Sequence, residues 1–447
     1  MIVSMVSLGC AKNLVDAERM LYLLKEKGHT LTVEPGDAEI AVVNTCGFIQ
    51  SAKEEAIETI LELVELKNEG TLKGIIVTGC LAERYREEMA EQFPEVDAVI
   101  GLGDEKLLCD VVDRIAKGER VVQFAPKKDL PLTGGRVLST LPFFAYLKIA
   151  EGCSNGCTYC AIPQIRGGYR SVPMEDVLQE AQWLAENGVT ELVVVAQDTT
   201  RYGEDLYGNS RLPELLQALC QIEGFHWIRV LYCYPERITD ELIHVIATEP
   251  KIVKYLDIPV QHCNGKILKA MRRGGDEASL RMLFEKLRAA IPNITLRTTL
   301  MTGFPGETEA DFEQLSAFVE EMHFDRMGCF SYSEEENTIA ASMPDMVEES
   351  VRIHRAEILT EQQMTISCTL NEKRIGTVTE AVIEGYDKWA ECWFGRTAAD
   401  APDIDGKLFI AGTPQDGYRV GQYVEVKITD MLDFDLIGEV VADESAE

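Results

Sequence analysis

Cys153, Cys157 and Cys160 stand in the run Glu151-Gly152-Cys153-Ser154-Asn155-Gly156-Cys157-Thr158-Tyr159-Cys160, a C-x-x-x-C-x-x-C spacing. Three thiolates this close in sequence can hold three irons of a 4Fe-4S cube on one loop, with little closure entropy, and leave the fourth iron without a protein ligand. An iron left open can bind a substrate or cofactor. The plainer uses of the same residues are a structural zinc site, which closes on four ligands, or a disulfide with a spare thiol. No fourth Cys or His lies near the loop, the next cysteine being Cys220, so the spacing favours a cluster.

A second trio is spread over the first 125 residues. Cys10 follows Ser-Leu-Gly, Cys46 follows Val-Asn-Thr and Cys80 follows Val-Thr-Gly, each just beyond an apolar run (2–8, 40–44, 74–78) that reads as a strand and leads into a helical pattern. Ser51-Ala52-Lys53-Glu54 reads as a capping box opening one of those helices. The alternation predicts an α/β domain with a doubly wound parallel sheet. Parallel strands bring their carboxyl ends to one rim, where open α/β sheets bind ligands, so the three cysteines are expected to meet there and to be able to ligate a second cubane. Any one of them alone would be ordinary core packing; recurrence at three successive strand ends sets them apart. Cys109, in the run Leu107-Leu108-Cys109-Asp110, lacks that placement and reads as packing, and Gly101-Leu102-Gly103 reads as a turn.

A linker broken by Pro126, Pro131, Gly134, Gly135 and Pro142 leads into a second region, taken as 139–373. Its strands read as 145–150, 190–196, 227–232, 255–260, 295–301 and 326–332, six strand-helix units that predict a partial (βα)6 barrel. The cysteine loop follows the first of these strands, at the rim where such barrels carry chemistry. With the aromatic Tyr159 before its last cysteine, the loop resembles the signature of the radical S-adenosylmethionine enzymes. That resemblance implies that the open iron chelates the amino and carboxylate groups of S-adenosylmethionine. Gln197, Asp198, Gln261 and Gly303 at the other strand ends are then candidates to grip this co-substrate, Gly303 by close backbone approach. Cys233 and Cys263 also fall near strand ends but read as bystanders, and Cys220, Cys329, Cys368 and Cys392 read as core or incidental.

The last region, 374–443, changes character. Thr377–Ile383, Trp389–Phe394, Leu408–Ile410 and Val424–Thr429 are strand-like and broken by Gly, Pro and Asp, which predicts a small OB-like β-barrel. Such barrels often bind single-stranded nucleic acid with basic grooves and stacked aromatics. Trp389, Trp393, Phe394 and Phe409 supply aromatics, which also suit a barrel core, but residues 374–447 carry 6 basic and 16 acidic side chains. Residues 1–125 carry 13 and 23, and the whole chain has a net charge of -32, a surface that repels phosphate backbones and favours a basic partner. Thirteen cysteines, the apolar start without a basic leader and the lack of a membrane-length apolar run are read as a cytoplasmic protein with metal-ligating thiols and no membrane partner.

Three strand-end cysteines, then this barrel, then a small β-barrel of the TRAM type resemble the methylthiotransferases over essentially the whole chain. The match runs through Ser7–Asn13, Asn44–Phe48, Thr78–Cys80, the cysteine loop, Ile162-Pro163 with Arg166-Gly167, and Thr302–Gly306. Within that family, Asp257–His262 and Gly395–Gly406 resemble the RimO type, which modifies an aspartate of small-subunit ribosomal protein twelve. Cys263 and Val172 depart from the expected pattern without touching a cluster ligand. The resemblance implies two 4Fe-4S clusters, one on Cys10, Cys46 and Cys80 that carries a sulfur to be methylated by S-adenosylmethionine. The other, on Cys153, Cys157 and Cys160, reduces a second S-adenosylmethionine to a deoxyadenosyl radical that takes hydrogen from the aspartate β-carbon. It also implies an electron donor such as a flavodoxin, a sulfur donor, and a target met free or on the ribosome. Methylthiolation of a transfer RNA adenosine and a non-catalytic iron-sulfur scaffold are the competing readings. The first would need a basic RNA groove, and the second leaves the open irons without a role.

Overall fold

The computed structural model describes residues 1–441, so the last two residues of the predicted 374–443 region lie outside the described residues. The N-terminal sheet has six parallel strands, β1 (Ile2–Ser7), β2 (Thr30–Thr32), β3 (Ile40–Thr45), β4 (Gly74–Gly79), β5 (Ala98–Ile100) and β6 (Val121–Gln123), in the order β2-β1-β3-β4-β5-β6. Apolar β3 and β4 are buried on both faces, as central parallel strands covered by helices must be. Helices α1 (Ala11–Glu26), α2 (Gln50–Asn68) and α3 (Cys80–Gln92) start at the carboxyl ends of β1, β3 and β4. One expectation fails here: α2 begins at Gln50 with Ile49 as its cap residue and no side-chain cap, so Ser51 lies inside the first turn and forms no capping box.

The second region is a six-stranded parallel sheet in the order β14-β13-β12-β11-β10-β7, an open barrel of β7 (Phe144–Lys148), β10 (Glu191–Val195), β11 (Trp227–Val230), β12 (Ile252–Asp257), β13 (Thr295–Thr302) and β14 (Arg326–Ser331). A short antiparallel pair, β8 (Ala150–Glu151) with β9 (Arg170–Ser171), closes the base of the cysteine loop. Alternation divides each strand's side chains between two faces. Ala145, Leu147, Leu192, Val194, Ile228 and Leu256 pack outward under the helices.

The concave face is filled by the other two regions. Phe144, Tyr146, Val193, Val195, Trp227 and Tyr255 form one cluster with Val15 of α1 and with Val382 and Ala401 of the C-terminal region. That region is a closed five-stranded barrel, β15 (Val378–Asp387), β16 (Cys392–Thr397), β17 (Leu408–Ala411), β18 (Tyr423–Leu432) and β19 (Asp435–Val440). Trp393 packs in its core, whereas Trp389, expected in a strand, sits on the β15–β16 turn and is 98% exposed. After β16, the segment 398–406 leaves the barrel and enters the concave face of the large sheet. There Asp400 pairs with Arg326 at 2.6 Å, Asp405 accepts from Tyr255 at 2.6 Å, Asp403 lies 3.2 Å from the Tyr146 hydroxyl, and Arg229 donates to the Ala398 carbonyl at 3.0 Å. These carboxylates are therefore engaged inside the molecule rather than offered to a partner.

Candidate functional site

Each N-terminal cysteine is paired with a glycine whose missing side chain lets the loops converge. Gly9 has φ +88, and a Cβ there would stand 2.8 Å from the Cys46 sulfur. Gly79 has φ +91, and its Cβ would come within 2.5 Å of the Thr45 backbone and the Asn44 side chain. A Cβ on Gly47 would meet the Leu81 backbone at 2.8 Å. Asn13 ties the same rim together, its amide donating to the carbonyls of Leu8 at 2.7 Å and Asn44 at 3.2 Å. Burial pushes the Cys80 thiol up to about 12; Arg166 opposes that rise, and the neighbouring Cys10 and Cys46 add to it. At Cys10 burial also acts upward, but Lys12, Arg166 and two backbone N–H groups together bring the thiol below its ordinary value. Cys80 thus lies close enough to Cys10 and Cys46, and Cys46 to Cys10, for their charges to act on it.

The barrel loop is held from several sides. Cys153 N–H donates to the Gly167 carbonyl at 3.1 Å, and Gly152, at φ +71, has no room for a Cβ against the Gly167-Gly168 backbone. Thr158 anchors the middle of the loop, its N–H to Met271 at 3.1 Å and its hydroxyl to Ala270 at 3.0 Å. The Tyr234 hydroxyl lies 2.7 Å from Cys157 Sγ, and the Arg273 guanidinium stacks 4.0 Å over the Tyr234 ring. Burial pushes Cys160 up to about 12, with Cys157 and Cys153 contributing in the same direction.

Of the candidate co-substrate residues, Gln197 keeps a buried side-chain oxygen without a hydrogen-bond partner. Asp198 is fully buried and already engaged, accepting from Asn155 of the cysteine loop at 2.8 Å and from Thr200 at 2.5 Å. Gln261 takes φ +70 while its backbone bridges to β13, donating to Thr299 and accepting from Met301, both at 2.8 Å. Gly303, at φ +69, makes room for the Arg352 side chain, and its N–H donates to Glu307 at 2.8 Å. Cys233 and Cys263 are fully buried in the barrel core, and Cys109 and Cys220 pack in cores as well.

A buried set of charges joins the two rims, and sequence reading missed it. Lys148 contacts Asp16 of α1 and donates to Glu151 at 2.8 Å. Arg166 donates to Asp16 at 2.8 Å, to Glu151 at 3.0 Å, to Asn13 at 2.9 Å and, through Nε, to Cys80 Sγ at 3.3 Å. The one available hint was that Lys148 charges the end of an otherwise apolar strand. Beside the rims, a cleft of about 430 Å³ opens between Ile49–Ser51, just after the Cys46 loop, and the end of β14 at Phe330, with Glu334 and Glu349 on its walls.

Among the described residues no group of three or more His, Cys, Asp or Glu side chains is arranged to hold a single metal ion. A cubane asks for a wider set, one thiolate on each of three irons. Glycine-cleared space at the N-terminal trio, and thiols in each trio close enough for their charges to act on a neighbour, fit such a group.

Residues 3–101 match the family described as Uncharacterized protein family UPF0004, residues 147–319 the Radical SAM superfamily, and residues 375–441 the TRAM domain. The chain is 50% identical over 434 residues to the ribosomal protein uS12 methylthiotransferase RimO of Lachnoclostridium phytofermentans, covering 97% of this chain and 98% of that protein. It is 47% identical over 444 residues to the protein of the same name from Clostridioides difficile, covering 98% of each. Among solved structures, the radical S-adenosylmethionine methyltransferase TsrM of Kitasatospora setae matches with a TM-score of 0.54 at 13% identity over 73% of this chain and 72% of that one, a likeness of fold.

Proposed function

The chain belongs to the family of ribosomal protein uS12 methylthiotransferases RimO, and from that premise we propose that it adds a methylthio group to the β-carbon of an aspartate in ribosomal protein uS12, using S-adenosylmethionine. It is a radical S-adenosylmethionine enzyme, and that superfamily implies a 4Fe-4S cluster. Cys153, Cys157 and Cys160 would hold that cluster, and Cys10, Cys46 and Cys80 a second. Bound there, such clusters supply a low-potential electron at the barrel rim and a coordination position for sulfur at the N-terminal rim. The observation that carries this reading is the placement of both trios on rims joined by one buried charge network.

The chain's own residues do the positioning. Asn155 and Thr158 fix the barrel loop against Asp198 and the 270–271 turn. Gln197, with its unpartnered oxygen, and Gln261 are the side chains offered to S-adenosylmethionine; Asp198 acts by holding the loop, and Gly303 offers backbone only. We take the units as 1–125, 139–373 and 374–443. An unactivated carbon has no proton acidic enough for a general base, so the reaction relies on a radical and on keeping water away from it. The cleft carries Glu334 and Glu349 beside Arg352, which pairs with Glu334 at 3.2 Å, so Glu349 is the carboxylate it offers to a segment of a basic ribosomal protein. An electron donor of the flavodoxin kind and a separate sulfur donor complete the scheme, in the cytoplasm where ribosomes are made. No described helix is long and apolar enough to cross a membrane.

The test is anaerobic reconstitution with iron and sulfide, then incubation with S-adenosylmethionine, reductant and purified uS12, read by peptide mass spectrometry. A methylthio increment on one aspartate is expected, and it should vanish with Cys153→Ala or Cys46→Ala. Roughly eight irons per chain should fall to about four when either trio is replaced by alanine. Cleavage of S-adenosylmethionine with unmodified uS12 would overturn the substrate assignment and turn attention to transfer RNA.

A further inference from the structure

Arg166 belongs by sequence to the barrel, six residues after Cys160, yet most of its hydrogen bonds are made to the N-terminal domain. Its side chain is 1% exposed. A guanidinium is a rigid planar fork, so its donors are aimed together, and here they fall on four different side chains. Nε points at Cys80 Sγ, at 3.3 Å. Nη2 reaches Asn13 at 2.9 Å, and Asn13 in turn fastens the Leu8 carbonyl, two residues before Cys10, and the Asn44 carbonyl, two residues before Cys46. Nη1 is shared by Asp16 and by Glu151, which stands two residues before Cys153. The next residue, Gly167, receives the Cys153 N–H. One side chain therefore touches a thiol of the N-terminal trio directly and supports the loops of the other two, while its backbone neighbour holds the backbone of the first cysteine of the barrel trio.

We propose that Arg166 is a positioning residue for the N-terminal cluster: its guanidinium hydrogen-bonds the Cys80 thiolate, withdraws electron density from that ligand and so holds the cluster at a higher reduction potential than the thiolates alone would give. The physical warrant is that hydrogen bonds and fixed charge at a ligating sulfur are principal levers on iron-sulfur potentials, and that partners of metal ligands also fix ligand orientation. Charge-assisted bonds are the stronger kind, and this one lies in a buried site where screening by water is weak. The carboxylates of Asp16 and Glu151 keep the fork from rotating away. The inference rests on the assignment of Cys10, Cys46 and Cys80 as cluster ligands.

The experiment uses the full chain carrying Cys153→Ala, Cys157→Ala and Cys160→Ala, so that only the N-terminal trio can load. After reconstitution, its midpoint potential is measured by redox titration followed by electron paramagnetic resonance, with and without Arg166→Gln or Arg166→Lys. The expected result is a midpoint displaced to more negative potential in Arg166→Gln and by a smaller amount in Arg166→Lys, which keeps the charge but loses the fork. Unchanged midpoints in both variants at full iron content overturn the proposal. If Arg166→Gln does not fold, Arg166→Lys decides alone, and a midpoint equal to the parent's is the overturning result. If the parent triple variant takes up no iron, the assignment of the N-terminal trio fails first and the proposal falls with it.

Discussion

The hydroxyl of Tyr234 lies 2.7 Å from the sulfur of Cys157, beneath the guanidinium of Arg273. Tyr234 comes from the turn after β11, so the middle thiol of the barrel loop is supported by a different strand-helix unit from the one that carries it. Tyr234→Phe keeps the ring and its stacking and removes only that oxygen. Partners of metal ligands typically contribute tenfold to a hundredfold in affinity or activity, and a loss of roughly that size is expected in 5′-deoxyadenosine formation. Iron content and the rate of that formation, measured on the same preparation, check it.

Gly79 combines φ +91 with a Cβ position within 2.5 Å of the Thr45 backbone. Gly79→Ala is expected to cost about 1–3 kcal/mol from backbone strain, with the overlap added to it. Denaturant unfolding of the metal-free chain reads the stability loss. A lower iron content after reconstitution should accompany it, because Cys80 is displaced with its neighbour.

Glu105 is buried against Asp16, Lys148, Arg166 and Glu151, and one of its oxygens has no partner. Burial first, and then the Asp16 carboxylate, hold its carboxyl well above the ordinary range, with Lys148 and Arg166 opposing. The folded chain then keeps a proton that the unfolded chain releases above about pH 4.3, so Glu105 makes folding less favourable as pH rises through that window. Gln is always neutral. Glu105→Gln is therefore expected to match the parent's melting temperature near pH 4.5 and to exceed it increasingly toward pH 8; parallel melting curves across that range would contradict the assignment.

Asp400 accepts from Arg326 at 2.6 Å and from the Thr397 hydroxyl at 2.6 Å, and all of its carboxylate is buried. Asp400→Ala leaves a buried guanidinium without its partner and is expected to lower stability by about 3–5 kcal/mol. Chemical unfolding gives the value, and limited proteolysis should cut the segment 398–406 sooner than in the parent.

Much of this was legible in the sequence because parallel strands are written as continuous apolar runs. The runs at 2–8, 40–44 and 74–78 correspond to β1, β3 and β4 to within a residue, and the cysteines follow where expected. The short strands Thr30–Thr32, Ala98–Ile100 and Val121–Gln123 were invisible because three residues show no periodicity. Ser51 misled because a hydroxyl three residues before a glutamate forms a cap only if the chain turns there, and α2 had already begun at Gln50. Arg166 stood out only through the resemblance, and Lys148 and Arg229 not at all. Their partners lie 132 to 169 residues away for the Asp16 and Ala398 contacts, a distance at which local pattern carries no information. The acidic segment 395–406 was read for its resemblance and its charge, and three of its carboxylates turn out to be spent on the chain's own arginines and tyrosines.

The segment that fills the concave face of the large sheet is made only after nearly nine-tenths of the chain has been synthesised. Until it arrives, Tyr146, Arg229 and Tyr255 have no lining to face, so the central unit waits on its own C-terminal neighbour before it can complete its interior. The order of translation therefore sets the order of assembly here, with contacts of long sequence separation closing last. A nascent chain stalled before residue 395 would display that unlined face to chaperones, and a late stretch of polypeptide acts as the keystone of the central unit made before it.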